Sequence, residues 1–286
     1  MRKYLYLVLI FVLGFTCLAS SEVSFKILVG DKPSQLGYLE GDGFPIGPSA
    51  ISEYQDEICI LDKVNFKMNF YSANGEFKYS FPIPQGYNYY DVAINSKMDI
   101  LVLTDKGIFI KIKTTYKKLC DIPSSIGTPY YFFVNTNGII VLNGLDNKGR
   151  VKSVMINANG NYRWLDGYGV FFSNSGLIGL QVSDTEFKII QGTQIINTIK
   201  LNLSSTMTPI GFTDDMSVYC VEPKKQGLII YKINKEGKIN KQEIVYSSEL
   251  IEGPPDIIKF LRVTQTGEIV GLEVHEKECK VLRIKF

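Results

Sequence analysis

Histidine is almost missing from this chain: His275 is the only one in 286 residues. One imidazole cannot assemble a multi-histidine zinc site, and any Ser–His–Asp triad would have to be built on that same residue. No GxSxG elbow accompanies it. Its setting, "GLEVHEKEC", lacks the helical HExxH arrangement. With Glu273, Glu276 and Glu278 beside it, His275 reads as a solvated residue in a strand-to-strand turn. No Gly-rich phosphate loop precedes a helix, and no stretch of the chain reads as a helix. Cysteine is sparse and scattered. Cys59, Cys120, Cys220 and Cys279 match no CxxC spacing, which sets aside thiolate metal sites and dithiol redox motifs. Cys59 and Cys220 stand in the apolar runs "EICIL" and "SVYCVE" and read as buried thiols, and the spacing assigns no disulfide pair.

An excess of one charge is also lacking. The chain carries 31 Lys and Arg against 29 Asp and Glu, and Arg2 and Lys3 make the difference. Without residues 1–21 the formal charge is zero, which argues against bulk binding of nucleic acid and against a polybasic membrane contact. The apolar run Tyr4–Leu18 is shorter than the ~20 residues that cross a bilayer comfortably. It follows Arg2 and Lys3 and precedes Ala19 and Ser21, which sit at −3 and −1 of a cut before Glu22. That is the charged, apolar, small-residue order of a secretory signal peptide over residues 1–21. An uncleaved anchor is the competing reading. Lipid attachment at Cys17 fits less well, because Gly14-Phe15-Thr16 lacks the small residue expected just before a lipidated Cys. The expected address is export: secreted, periplasmic or at the cell surface.

What the chain has in plenty is Tyr and Phe, 17 of each, with β-branched residues and turn tetrapeptides between them. That mixture favours strands. "SAISEYQDEICILDKVNFKMNFYSANGEFKYSF", residues 49–81, reads as four short strands divided by three turns. The pattern returns five times. Its first turns, "YQDE", "SKMD", "NTNG", "SNSG", "TDDM" and "TQTG", begin at residues 54, 96, 135, 173, 213 and 264. Four short strands on a beat of ~40 residues are the mark of propeller blades. The expected fold is therefore all-β: a six-bladed β-propeller of four-stranded antiparallel blades occupying residues 22–286 as one domain. The blades fall near 45–84, 87–123, 129–165, 167–203, 208–247 and 254–286. The last copy has only three strands, so "VSFKILVG", residues 23–30, is expected to supply its fourth and close the ring without an open edge. "SSELIEGPPDI" reads as an inserted loop. A β-sandwich, the competing class, needs neither a period nor a three-strand remainder, and five or seven blades are the alternatives within the propeller class.

The first copy resembles the NHL repeat. In "GDGFPIGPSAISEYQDEICILDKVNFKMNFYSANGEFKYSF" the positions of that pattern are taken by Pro48, Ile51, Ile60, Asp62, Asn65, Phe70, Gly75 and Phe77, with Lys67 near its usual Arg. Later copies keep the strands and lose Asp-x-x-Asn. The resemblance implies a six-bladed propeller and no particular activity, since the family spans scaffolds, binding modules and a few enzymes. Lyases with an NHL-like propeller hold zinc with several His residues, which this chain cannot match.

Two sets of residues are candidates for function. Asp62, Asp105, Asp146, Asp184, Glu222 and Glu276 each fall in the turn before a third strand, and in a propeller those turns share one face. They could hold calcium, which takes several oxygen ligands, or serve their turns by accepting backbone N–H groups beside Lys63, Lys106, Lys148, Lys224 and Lys277. On the same face the blade-joining loops carry Tyr87, Tyr89, Tyr90, Tyr130 and Tyr168, whose rings suit sugars or extended peptides. Phe132, Phe133, Phe171 and Phe172 are expected to pack between blades, and Trp164 to pack in an outer strand. The leading expectation is a non-catalytic exported module that binds a protein or glycan partner through the tyrosine face, without a cofactor. The alternatives are a calcium-dependent lactonase- or lyase-like propeller enzyme using Asp62 and Asp105, and a structural component of the cell envelope.

Overall fold

Short alternating strands meet turns that tolerate left-handed backbone, and the chain folds back on itself every few residues. A computed structural model describes residues 22–286 except 42, 96, 136, 158, 166, 168, 174, 202–206, 226 and 252. The expected leader, with Cys17, lies outside the described residues. The strands make six four-stranded antiparallel sheets, each from consecutive segments except the last. Their inner strands are Ala50–Tyr54, Tyr89–Ile94, Thr128–Val134, Val170–Phe172, Thr208–Phe212 and Leu261–Val263. This is the six-bladed β-propeller expected from the repeat. The last sheet is completed by Glu22–Leu28, which pairs antiparallel with Glu278–Ile284 in the register Val23↔Leu282, Phe25↔Val281 and Ile27↔Cys279. Gly75, at φ +86°, fits this closure, because a Cβ there would lie 2.5 Å from the Cβ of Phe25.

Outside the first blade, whose two-residue turn holds Gln55 and Asp56 at positive φ, the turns between first and second strands of the other five blades share one device. Asn95 and Asn135 each accept two backbone N–H groups at 2.9 Å through the side-chain oxygen, and Ser173, Thr213 and Thr264 open the equivalent turns. The second blade's turn thus starts at Asn95, one residue earlier than the repeat suggested. The left-handed residue that follows is Gly138, Gly176 or Gly267 in three blades, but Met98 (φ 62°) and Met216 (φ 64°) in the other two.

Cores form between neighbouring blades. Phe132 and Phe171 are buried in two different cores and Phe133 packs against Phe171, as expected; the side chain of Phe172 lies outside what is described. Trp164 departs from expectation: it is 39% exposed and meets Tyr162 edge to face at 6.1 Å. The outermost strand of a blade has one face with no neighbour, which leaves such rings in solvent. All four described cysteines are free thiols, with Cys59, Cys220 and Cys279 buried.

Residues 30–37 form a strap in the wedge between the last blade and the first, where Leu36 is buried among Ile58, Ile60, Val270 and Leu272. Alternate residues of the strand Lys67–Ser72 point the same way and hold it. Lys67 Nζ donates to Lys32 O (2.7 Å), Asn69 Nδ2 to Gln35 O (2.9 Å) and Tyr71 Oη to Ser34 O (3.1 Å). Asn65 Nδ2 donates to Gly30 O (2.8 Å), and Asp62 accepts from Gly37 N (2.9 Å).

One segment read as a loop is a helix. Pro254–Phe260 is a short α-helix opened by its two prolines, which the first turn accepts because its N–H groups have no helical partner. Seven residues do not hold a helix by themselves. Ile257, Ile258 and Phe260 are buried, each contributing roughly 1.5–3 kcal/mol. They pack the helix against inner strands around the ring, so it stands in the channel mouth on the face where the blades are joined.

Candidate functional site

Below the helix the channel is bridged. Arg262, on the last blade's inner strand, donates through its guanidinium to Asp91 on the second blade and through Nε to Ile51 O (3.1 Å) on the first. Asp91 is 0% exposed and also accepts from Val92 N (2.8 Å) and Phe132 N (3.0 Å). Burial holds its carboxyl above the usual carboxylate range, against the opposing pull of Arg262 and the two N–H groups. The Asp91 carboxylate is thereby consumed in joining blades.

The open space lies off the axis. Beside the helix is a cleft of about 640 Å³ with four walls. The lead-in segment supplies Leu39, Phe44 and Ile46, with Leu39 and Ile46 exchanging backbone hydrogen bonds of 2.8 and 2.9 Å. The first blade's turn supplies Lys63, Val64 and Phe66, and the first blade-joining loop supplies Tyr87, Asn88, Tyr89 and Tyr90. On the helix side stand Asp256 and Lys259, paired at 2.7 Å with side chains 24% and 14% exposed. Tyr90 keeps its phenol proton above the ordinary range, first through burial and then through the charge of Asp105.

The expected site residues divide. Tyr87 and Tyr90 reach the cleft; Tyr87 is braced edge-on by Phe109 at 5.3 Å. Tyr89 touches the cleft too but is mostly buried, its hydroxyl donating to Pro84 O. Tyr130 lies across the helix in a separate recess of about 340 Å³, and Tyr168 lies outside the described residues. Asp62 is 0% exposed and accepts from Gly37, Val64 and Asn65. Asp105 accepts from Asn88 N at 3.0 Å and sits 3.4 Å from Lys106. Among the described residues no three His, Cys, Asp or Glu side chains gather as a metal would require, and the oxygens of Asp62 are already filled by N–H donors. That donor set does not fit calcium. His275 is partly buried rather than freely solvated: its ring lies 3.6 Å from Glu249 and 3.7 Å from Glu273.

Lys259, Asp256 and Lys63 were not singled out by sequence reasoning as working groups. The helix that carries two of them is too short to show a period, and the cleft is made of four segments far apart in the chain.

No family model matches the chain, and no curated protein matches it in sequence. In shape it is similar to solved propellers. One is a catalytically inactive His-to-Ala variant of virginiamycin B lyase from Staphylococcus aureus with quinupristin, at TM-score 0.55 and 16% identity, covering 87% of this chain and 99% of that one. Another is regucalcin, a calcium-binding protein of Agrobacterium tumefaciens, at TM-score 0.57 and 9% identity over 93% and 95% of the two chains. A third is a gluconolactonase from Xanthomonas campestris, at TM-score 0.55 and 8% identity over 92% and 98%. At such identities the likeness carries the six-bladed fold. It also corrects the expectation of a non-catalytic binding module, because a lyase and a lactonase are built on this architecture. Scarcity of histidine is no ground for setting catalysis aside when amine, carboxyl and phenol groups meet in one cleft.

Proposed function

We propose that the chain is an exported propeller enzyme that breaks a C–O bond in an ester- or lactone-bearing ligand, working in the cleft beside the helix Pro254–Phe260. One observation carries the reading. The Asp256–Lys259 pair, 2.7 Å apart and largely shielded, opens on a space of about 640 Å³ walled by the phenols of Tyr87 and Tyr90 and a second amine, Lys63. In an elimination, the Asp256 carboxylate takes the proton beside the carbonyl and Tyr90 donates to the carbonyl oxygen as charge develops there. Lys259 then protonates the departing oxygen. The C–O bonding pair leaves with that oxygen, a C=C bond forms, and no oxidant is needed. In a hydrolysis the same carboxylate takes its proton from a water that attacks the carbonyl. The likeness to a lyase and a gluconolactonase supports this class of reaction. The NHL-like first blade supports descent near that repeat family, and the leader-like N-terminus supports export.

The test is to offer residues 22–286 gluconolactone and other lactones and esters. Elimination appears as the ultraviolet absorbance of a conjugated product, hydrolysis as released acid. Lys259→Ala and Asp256→Asn should each lower kcat/KM by about 10²-fold or more. Both variants should still unfold cooperatively on heating, so that a lost activity is not a lost fold. Absence of both activities in the native protein, or full activity in both variants, refutes the proposal.

A further inference from the structure

The recess across the helix from the cleft has its own construction. It encloses about 340 Å³, near the lower end of the ~300–1,000 Å³ typical of small-molecule sites. Its lining is chiefly apolar, from Tyr130, Leu145, Met207 and Ile258, and its polar groups are few. Asn143 is spoken for, since its side-chain oxygen accepts from Ser153 Oγ at 2.6 Å. Gln181 is different. It is 7% exposed and lines the recess, and among the described residues its side-chain amide has no hydrogen-bond partner. Strand position explains its direction. Gln181 pairs with Phe187 near the end of Ile178–Ser183, so it projects from the sheet close to the joined face. The residue is shielded while its amide opens on the recess, so a molecule lying in the recess is what can satisfy it; polar groups this shielded are kept chiefly where something pairs with them.

We infer that this recess is a second binding site, for a small, uncharged, planar ring compound whose edge presents a hydrogen-bond donor beside an acceptor, as in a cyclic amide or a nucleobase. A glutamine side chain offers one acceptor and two donors side by side, and pairs both ways with such an edge. Among the described residues no lysine or arginine lines the recess, and Asp184 does, so an anion is disfavoured. Tyr130 and Tyr131 supply aromatic surface for the ring. The inference does not depend on the proposed reaction, because the helix separates this recess from the cleft.

Ligand-observed NMR and calorimetry on residues 22–286 test it, with uracil and nicotinamide as probes and benzoate as the anionic control. Native protein should bind at least one probe with a Kd of about 1 mM or tighter and benzoate at least tenfold more weakly. Gln181→Leu should weaken the probe at least tenfold while its Tm without ligand holds, since the variant keeps the volume and removes an amide with no partner among the described residues. Ile258→Trp should fill the recess and abolish binding. The inference is overturned if neither probe binds at concentrations up to about 10 mM or if Gln181→Leu binds as well as native protein. A fall of several degrees in the Tm of Gln181→Leu would overturn it too, by revealing an internal partner for the amide.

Discussion

Replacing Arg262 by Met tests the account of the channel most directly. Arg262 joins its own blade to three others, by its ion pair with Asp91, its hydrogen bond to Ile51 O and its guanidinium 5.3 Å from the centre of the Phe133 ring. Met fills similar volume but leaves Asp91 buried without a counter-charge, and breaking a buried pair in this way costs about 3–5 kcal/mol. Two backbone N–H groups remain on Asp91, from Val92 at 2.8 Å and Phe132 at 3.0 Å, which points to the lower end, roughly 3 kcal/mol. At ~2–4 °C per kcal/mol for a domain of this class, Tm should fall by about 6–12 °C.

The loss should depend on pH. Asp91 already sits above its usual range through burial, with Arg262 holding it down, so removing Arg262 raises it further. A carboxyl raised in the folded state contributes most below its unfolded value and loses that contribution as pH rises through its folded value. The deficit of Arg262→Met should therefore be smaller at pH 5 than at pH 8. Adding Asp91→Leu should recover most of the loss, because an apolar replacement of a whole buried pair is often close to neutral. Urea unfolding at both pH values measures all three. A single variant within about 1 kcal/mol of native, a deficit unchanged by pH, or a double variant no better than the single one would refute the reasoning.

Three further outcomes follow from local geometry. Met98→Gly should stabilise the protein by about 0.4–1 kcal/mol in denaturant unfolding, because Met98 holds φ 62° where three other blades use Gly; an unchanged or lower midpoint would mean the side chain earns more by contact than the backbone loses. Asp62→Ala strips acceptors from the N–H groups of Gly37, Val64 and Asn65 and should cost about 1–3 kcal/mol or more, with the strap 30–37 exchanging amide hydrogens faster than the blades. The Cys120 thiol, pushed up to about 11 by burial, should react slowly with iodoacetamide at pH 8 in folded residues 22–286, while unfolding should expose all four thiols to fast reaction.

The ring was legible because its repeat is carried by short-range chemistry. Each first turn needs a polar cap and a residue tolerant of positive φ, so Asn135–Gly138, Ser173–Gly176 and Thr264–Gly267 stand out, while Asn95 and Met98 hide the same turn by one residue. Closure by residues 23–30 was legible as a remainder, three strands where four were due. The retained Asp62-x-x-Asn65 of the first blade has a tertiary cause. Only that blade carries the strap, which both side chains hold through Gly37 N and Gly30 O. The other blades have no such segment to bind in the described residues. What stayed hidden was whatever depended on distant segments meeting. Pro254-Pro255 signals a break and a helix start equally well, and nothing near it in sequence shows that Ile257, Ile258 and Phe260 will find apolar partners across the ring. Gln181 is one polar residue in an alternating strand until the recess around it is seen.

Six similar sheets do not by themselves make an asymmetric site, and in this protein the asymmetry comes from the segments outside the repeat. Arg262 and Asp91 cross the axis, and the helix occupies its mouth, so a ligand cannot meet all the blades at once as it would in an open channel. The open clefts lie instead where non-repeated chain lies over the blades. The lead-in residues Leu39–Ile46 and the helix meet over the junction of the first and second blades, and there the amines of Lys63 and Lys259 share one opening with Asp256. Loops set on a rigid frame are where binding groups can vary without cost to the fold. If the proposed reaction is right, kcat/KM across a panel of lactones and esters should change on exchanging residues 39–49 or 250–260, and an unchanged order of preference would refute it.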